Sequence, residues 1–121
     1  MTTRSYQRHN CPVAQVLSVV GDQWTILLIR DVMSGPQRFD ELQANLGISR
    51  NLLTQRLKQM VAADLLAKRA IPNSRRYAYC LTPKALELRP AILALAEWGQ
   101  KWRAEPHGTR VEITEKATGK P

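Results

Sequence analysis

Four polar side chains, Asn51, Thr54, Gln55 and Lys58, recur at i, i+3, i+4 and i+7 in a stretch whose apolar residues hold the opposite side. Amides, a hydroxyl and an ammonium on one helical stripe are groups that bond to base edges and phosphates. Asn or Gln pairs bidentately with adenine, and Arg does the same with guanine. A helix face that only meets solvent would be dominated by Glu and Lys. Ser49 and Arg50 open the stripe, so Ser49, Arg50, Asn51, Thr54 and Gln55 are the candidates for base and phosphate contact in a DNA major groove. Lys58 and Arg56 are candidates for phosphate, and Arg75 with Arg76 for backbone or minor groove. Cys11 is the other reactive group. It precedes Pro12 at a helix start, where partial positive charge, with Arg8 and His9 nearby in sequence, would raise the reactivity of its sulfur. A small inert residue packed at an interface is the alternative for Cys11, and both readings stand. Cys80, between Tyr79 and Leu81 in a strand-like run, reads as structural.

The elements that must position these groups follow from pattern and punctuation. The reading helix is expected from Ser49 to about Asp64, with Leu53, Leu57, Met60 and Val61 on its buried face. Ahead of it, a helix starting at Phe39–Leu42 runs to Leu46, with Phe39 as a staple and Asp40 as the cap, and Gly47–Ile48 makes the turn. Behind it, Leu65–Ile71 and Arg75–Leu81 form a hairpin around Pro72–Asn73–Ser74, with Arg75 and Arg76 at its tip. Upstream, Pro12 opens a short helix that Gly21 ends, and Asp22 caps a helix reaching Met33 that is apolar nearly all round and so central. Ser34–Gly35–Pro36 stops it, with Gly35 suited to a left-handed cap. A last helix from Pro83 to Arg103, kinked by Pro90, carries Leu86, Leu93, Leu95, Trp98 and Trp102. That is more apolar surface than a domain this small can cover, and a partner protomer is the natural recipient.

Residues 1–104 thus read as one mainly α domain with a small β-hairpin, its first ten residues a mobile arm, and 105–121 as a polar, disordered tail. The formal charge of +8 is concentrated: seven bases against one acid between Ser49 and Tyr79 leave +6 there. Charge gathered on a helix and hairpin is the footprint of a polyanion binder. No apolar run suffices for a bilayer and the N-terminus has no signal-peptide core, so a cytoplasmic protein without membrane contact is expected. Neither a disulfide framework nor a metal-ligand pattern is present. His9 and His107 stand apart, no nucleophile, base and orienting group share a motif, and no glycine loop cradles phosphate. An enzyme with a cofactor is not expected.

The segments G-D-Q-W-T-I-L-L-I-R-D-V, G-P-Q-R-F-D-E-L, G-I-S-R-N-L-L-T-Q-R-L-K-Q-M and Y-C-L-T-P-K-A-L-E-L-R-P-A-I-L-A-L-A-E-W-G resemble the HxlR-type winged helix-turn-helix regulators of the MarR-like superfamily. The similarity runs from about Cys11 to Trp102; Ala85 departs from it, where the family often has Gly. The resemblance implies a homodimeric transcription factor, read here as a repressor. Its first and last helices would build the dimer, and its two recognition helices, about 34–36 Å apart, would address a pseudo-palindromic operator in double-stranded DNA. It also implies that a cysteine at the position of Cys11 can act as a redox or electrophile sensor. Two other readings remain open. One is a small-molecule effector bound at the dimer interface near Trp24, Trp98 and Trp102, residues that are more often simply core. The other is an architectural or protein-interaction module on the same fold.

Overall fold

A computed structural model describes residues 11–103; the expectations for the first ten residues, including Arg8 and His9, and for the tail with His107 lie outside them. Eight elements follow in order: α1 (Pro12–Val20), α2 (Thr25–Val32), α3 (Phe39–Leu46), α4 (Arg50–Ala62), β1 (Leu66–Ala70), β2 (Tyr77–Leu81), α5 (Pro83–Leu86) and α6 (Arg89–Arg103). The chain divides into two compact units after Leu86.

In the first unit the helical apolar spacing does what it should. Leu28 and Ile29 from α2, Leu42 from α3, Leu53, Leu57 and Met60 from α4 and Leu66 from β1 are all fully buried. Each such side chain contributes roughly 1.5–3 kcal/mol of burial free energy, enough to fix which face of α4 points inward. Val61 was expected on that face, but it is 36% exposed, because the inward stripe of α4 ends at Met60.

The helix starts show how local chemistry sets boundaries. α2 begins three residues after Asp22, yet Asp22 still caps it. Its Oδ1 accepts from the backbone N–H of Trp24 at 2.9 Å and of Thr25 at 3.0 Å, and its Oδ2 accepts from the Thr25 hydroxyl. The helix ends at Val32 rather than Met33, and Gly35 sits at φ 149°, outside the left-handed cap region it was expected to fill. α3 is capped from Arg38, not Asp40: Glu41 Oε1 accepts from the Arg38 backbone N–H at 2.9 Å. Asp40 and Glu41 then both lie in the first turn, where carboxylates meet the positive end of the helix dipole. Gly47, at φ 65°, takes the left-handed conformation that closes α3 and turns the chain toward α4, which a side chain would resist. Ser49 caps α4 by accepting from the Leu52 N–H at 3.3 Å.

β1 and β2 pair antiparallel from Leu66↔Leu81 to Ala70↔Tyr77. A third, one-residue rung comes from Gln37, which exchanges both backbone hydrogen bonds with Tyr79 at 2.9 and 2.7 Å. The hairpin is tied to the end of α4. Asp64 turns the corner at φ 61°, the Thr82 hydroxyl donates to the Asp64 carbonyl at 2.6 Å, and Lys84 Nζ donates to the Ala63 carbonyl at 3.0 Å.

Thr82–Pro83 starts a helix as expected, with the Thr82 hydroxyl accepting from the Ala85 N–H at 3.2 Å. That helix stops after four residues, however, and α6 starts afresh at Arg89. Pro90 does not kink a continuous helix. It occupies the second position of α6, where a missing N–H costs nothing because that donor has no intrahelical partner. Within α6, Leu95, Trp98 and Trp102 fall at i, i+3 and i+7 and are 60–64% exposed.

Candidate nucleic-acid interface

α4 presents its polar stripe outward. Asn51, Thr54, Gln55 and Lys58 are all exposed on its outer side, Asn51 at the helix start. No side-chain hydrogen bond or ion pair within the described residues engages Asn51, Gln55 or Lys58. The Thr54 hydroxyl donates to the Arg50 carbonyl at 2.8 Å, so its hydrogen is used and its lone pairs face outward as acceptors. Ser49 is committed to its capping bond and reaches outward only from the helix start.

Arg50 is exposed but not loose. Its guanidinium lies 4.8 Å from the Phe39 ring centroid and 3.8 Å from the Asp40 carboxylate. The exposed ion pair is worth little by itself. Together with the ring it lays Arg50 along the start of α3. Arg56 departs from its expected place. Its guanidinium is turned inward, ion-paired at 3.2 Å with Asp22 Oδ1, and its Nη1 donates a hydrogen bond to Gln59 Oε1 at 2.9 Å. It joins α4 to the α1–α2 corner and does not stand on the outer stripe, since one step beyond Gln55 turns the side chain about 100° around the helix.

The hairpin tip spans residues 71–76, closed by the Ile71 N–H to the Arg76 carbonyl at 3.1 Å and by Asn73 at φ 60°. Arg75 and Arg76 are exposed there, as the turn chemistry implied, and the Arg76 N–H is held by the Ser74 hydroxyl at 3.0 Å.

Between α4 and the hairpin lies a groove of about 540 Å³ that residue patterns alone do not reveal. Thr54, Lys58 and Val61 line one side, Lys68, Tyr77 and Tyr79 the other, and Phe39, Asp40 and Arg50 one end. Strand alternation explains the second side: Tyr77 and Tyr79 are two residues apart, and Lys68 pairs with Tyr79 in register, so all three share a face. The two phenol rings meet edge-on at 5.6 Å, and Lys68 Nζ sits 4.6 Å from the Tyr77 ring centroid. Burial pushes the Tyr79 phenol up from its usual range, and its hydrogen bond to Tyr77 pushes it further. That same bond, followed by the nearby Lys68, holds the exposed Tyr77 phenol below its usual value. The pattern Lys68…Tyr77-x-Tyr79 is visible in the sequence, but only the hairpin register shows that it converges.

Two further residues bear on regulation. Cys11 is exposed and stands at the N-cap of α1, its carbonyl accepting from the Gln15 N–H at 2.9 Å. Cys80 is half-buried, with its Sγ 3.5 Å from the Ala67 carbonyl across the hairpin. The tryptophans are not a common core: Trp24 is half-buried, while Trp98 and Trp102 are exposed. Among the described residues no cluster of His, Cys, Asp and Glu could hold a metal ion, and no single helix is long and apolar enough to cross a membrane.

A helix-turn-helix followed by a basic hairpin defines a winged helix-turn-helix protein, and comparison with known proteins agrees. Residues 19–107 match the family model of the HxlR-like helix-turn-helix, and the chain belongs to that family. Rv3095 of Mycobacterium tuberculosis, an uncharacterised HTH-type transcriptional regulator, is 34% identical over 110 residues, covering 88% of this chain and 68% of that one. The crystal structure of PA1607, described as a candidate transcription factor, superposes with a TM-score of 0.86 at 33% identity, covering 97% of this chain and 82% of that one. The redox regulator HypR in its reduced form superposes with a TM-score of 0.72 at 27% identity, over 77% of this chain and 94% of that one. The chain is a transcriptional regulator with a helix-turn-helix domain, as its relatives are.

Proposed function

We propose that the protein is a homodimeric, sequence-specific DNA-binding repressor acting in the cytoplasm. One observation carries this reading: a Ser49-capped helix holds Asn51, Thr54, Gln55 and Lys58 out along one stripe, beside a hairpin whose tip exposes Arg75 and Arg76. Asn51, Thr54 and Gln55 of the stripe read base edges in the major groove, Lys58 touches phosphate, and Arg50, steadied by Phe39, reaches bases or phosphate at the N-terminal end of α4. Arg75 and Arg76 grip the flanking backbone or minor groove. Arg56, paired with Asp22, orients α4 and is removed from the phosphate contacts. The exposed apolar residues Val13, Val16, Leu17 and Val19 of α1, and Leu95, Trp98 and Trp102 of α6, are the surfaces that a second copy covers. A dimer sets two recognition helices on a pseudo-palindromic operator, and its occupancy excludes other proteins from that site.

Selection from random double-stranded oligonucleotides tests the reading. Enrichment of one pseudo-palindromic sequence is expected, bound more weakly when Asn51→Ala and Gln55→Ala are combined. Recovery of no preferred sequence would favour the protein-interaction module instead.

A second reading concerns the signal. The exposed Cys11 at a helix start, and likeness to the redox regulator HypR, support redox or electrophile control through this thiol. The quinone-bound YodB of Bacillus subtilis, 28% identical with a TM-score of 0.64 over 76% of this chain and 99% of that one, is a further relative, one in which a quinone is bound. A small-molecule effector held at a dimer interface by the tryptophans has less support, since Trp98 and Trp102 lie exposed on one helix face.

A further inference from the structure

We infer that the groove between α4 and the hairpin seats the sugar-phosphate strand passing from the major groove to the adjoining minor groove, with Lys58, Lys68 and the Tyr77 hydroxyl gripping one phosphodiester. The inference rests on the DNA-binding reading and adds Lys68 and Tyr77, which that reading does not contain.

Three observations support it. The first is the donor set. The Tyr77 hydroxyl is exposed on the same strand face as Lys68, whose Nζ lies 4.6 Å from the Tyr77 ring centroid, and it can donate its hydrogen into the groove. Lys58 and Lys68 offer only donors, and the single carboxylate at the edge, Asp40, is engaged by Arg50 at 3.8 Å. The two ammonium groups and the Tyr77 hydroxyl outnumber the acceptors of the lining, the Thr54 lone pairs and Asp40, which favours an anion, and a phosphodiester has two acceptor oxygens to place between two ammonium groups. The second is size and lining. About 540 Å³ is far more than a lone inorganic anion fills, and the walls include the exposed edge of Val61 and the Phe39 ring, apolar surface suited to the deoxyribose on either side of a phosphate. The third is placement. The groove is lined on one side by Thr54 and Lys58 of the outward stripe and on the other by the hairpin whose tip carries Arg75 and Arg76, so a duplex touched by both stripe and tip lays one strand over it.

The test uses the full-length protein and the duplex recovered by selection, synthesised with a single neutral methylphosphonate at each backbone position in turn. Lys68→Met keeps the aliphatic stem and removes the charge; Tyr77→Phe keeps the ring under Lys68 and removes the hydroxyl. Both positions are exposed, and unchanged thermal melts verify that the variants fold. Lys68→Met is expected to weaken binding by about fivefold and to flatten the log affinity–log salt slope by about 1–2 for the dimer. Tyr77→Phe is expected to weaken binding by about threefold with the slope unchanged, because no charge is removed. At one phosphate per half-site the methylphosphonate should hurt the wild type more than Lys68→Met, in which only Lys58 and the Tyr77 hydroxyl still reach that phosphate. Wild-type affinity and slope in Lys68→Met, or equal methylphosphonate penalties in both proteins at every position, would overturn the inference while leaving DNA binding intact. If no duplex is enriched at all, the DNA-binding reading itself fails and takes this one with it.

Discussion

The Asp22 carboxylate lies 3.2 Å from the Arg56 guanidinium, joining the corner between α1 and α2 to the middle of the recognition helix. Asp22 is at once the cap of α2, through Trp24 and Thr25, and the counter-charge for a cation that is only 23% exposed. The residue that starts one helix therefore also fixes the rotation of another.

Loss of Asp22 should consequently cost more than an ordinary cap. Burial pushes its carboxyl up, but the Thr25 hydroxyl, the Trp24 and Thr25 amides and the Arg56 charge outweigh that and hold it below the usual carboxylate range. A depressed native value means the stabilisation is present at neutral pH, above the unfolded value of about 3.9, and is lost as pH falls through the native one. Asp22→Asn should lower stability by about 1–2 kcal/mol at pH 7. Melting curves of the two proteins should converge below about pH 4. A gap that stays constant down to pH 2 would mean the carboxylate charge is not what matters.

Affinity and sequence choice should separate by mutation. Arg75→Ala with Arg76→Ala should weaken binding to all duplexes alike and reduce the salt slope by about 1 for each phosphate no longer neutralised. Gln55→Ala should instead relax preference at particular positions, costing about 1–3 kcal/mol on the preferred duplex and less on others. Titrations at several salt concentrations on the selected and a scrambled duplex distinguish the two patterns.

The apolar stripe of α6 should govern assembly. Trp98→Glu with Leu95→Glu should shift sedimentation toward the monomer and abolish binding to the full operator, because two half-sites are no longer held by one particle. The domain itself should remain folded, since Trp98 is 60% and Leu95 61% exposed in the single chain. A double variant that stays dimeric at micromolar concentration would move the interface elsewhere.

Diamide should weaken operator binding by the wild type and leave Cys11→Ser unaffected. The exposed position of Cys11 makes its sulfur accessible to reagent, whereas Cys80 is half-buried in the hairpin. Equal loss in both proteins would remove Cys11 from the sensing role.

Much of the architecture could be read from residue order, because its signals are local. Ser49 before an apolar 3–4 repeat marks α4 to within a residue or two, and Pro72–Asn73–Ser74 marks the hairpin turn. What could not be read depends on which side chain meets which across the fold. Gln37 becomes a sheet rung only because the α2–α3 connection passes β2. Arg38 rather than Asp40 caps α3, because Glu41 reaches back to it. Arg56 leaves the outer face because Asp22, far earlier in the chain, is waiting for it. Lys68, Tyr77 and Tyr79 converge through a strand register that no composition reveals. Most of these pairings join residues distant in sequence, and the Arg38 cap turns on a choice between neighbours.

The corner at Asp64 has one more implication. With its left-handed backbone, the Thr82 hydroxyl on its carbonyl and Lys84 on the carbonyl of Ala63, the recognition helix and hairpin are bolted at their junction. On the proposed DNA-binding reading, this junction sets the spacing between the outward stripe of α4 and the hairpin tip, a built-in ruler for the duplex. For engineering, residues 49–84 are then best altered in place, with Asp22 and Gln37 kept to hold α4 and β2. Re-coding positions 51, 54 and 55 should redirect the protein to new sequences, while lengthening the hairpin by even one residue should spoil the gauge on every target alike.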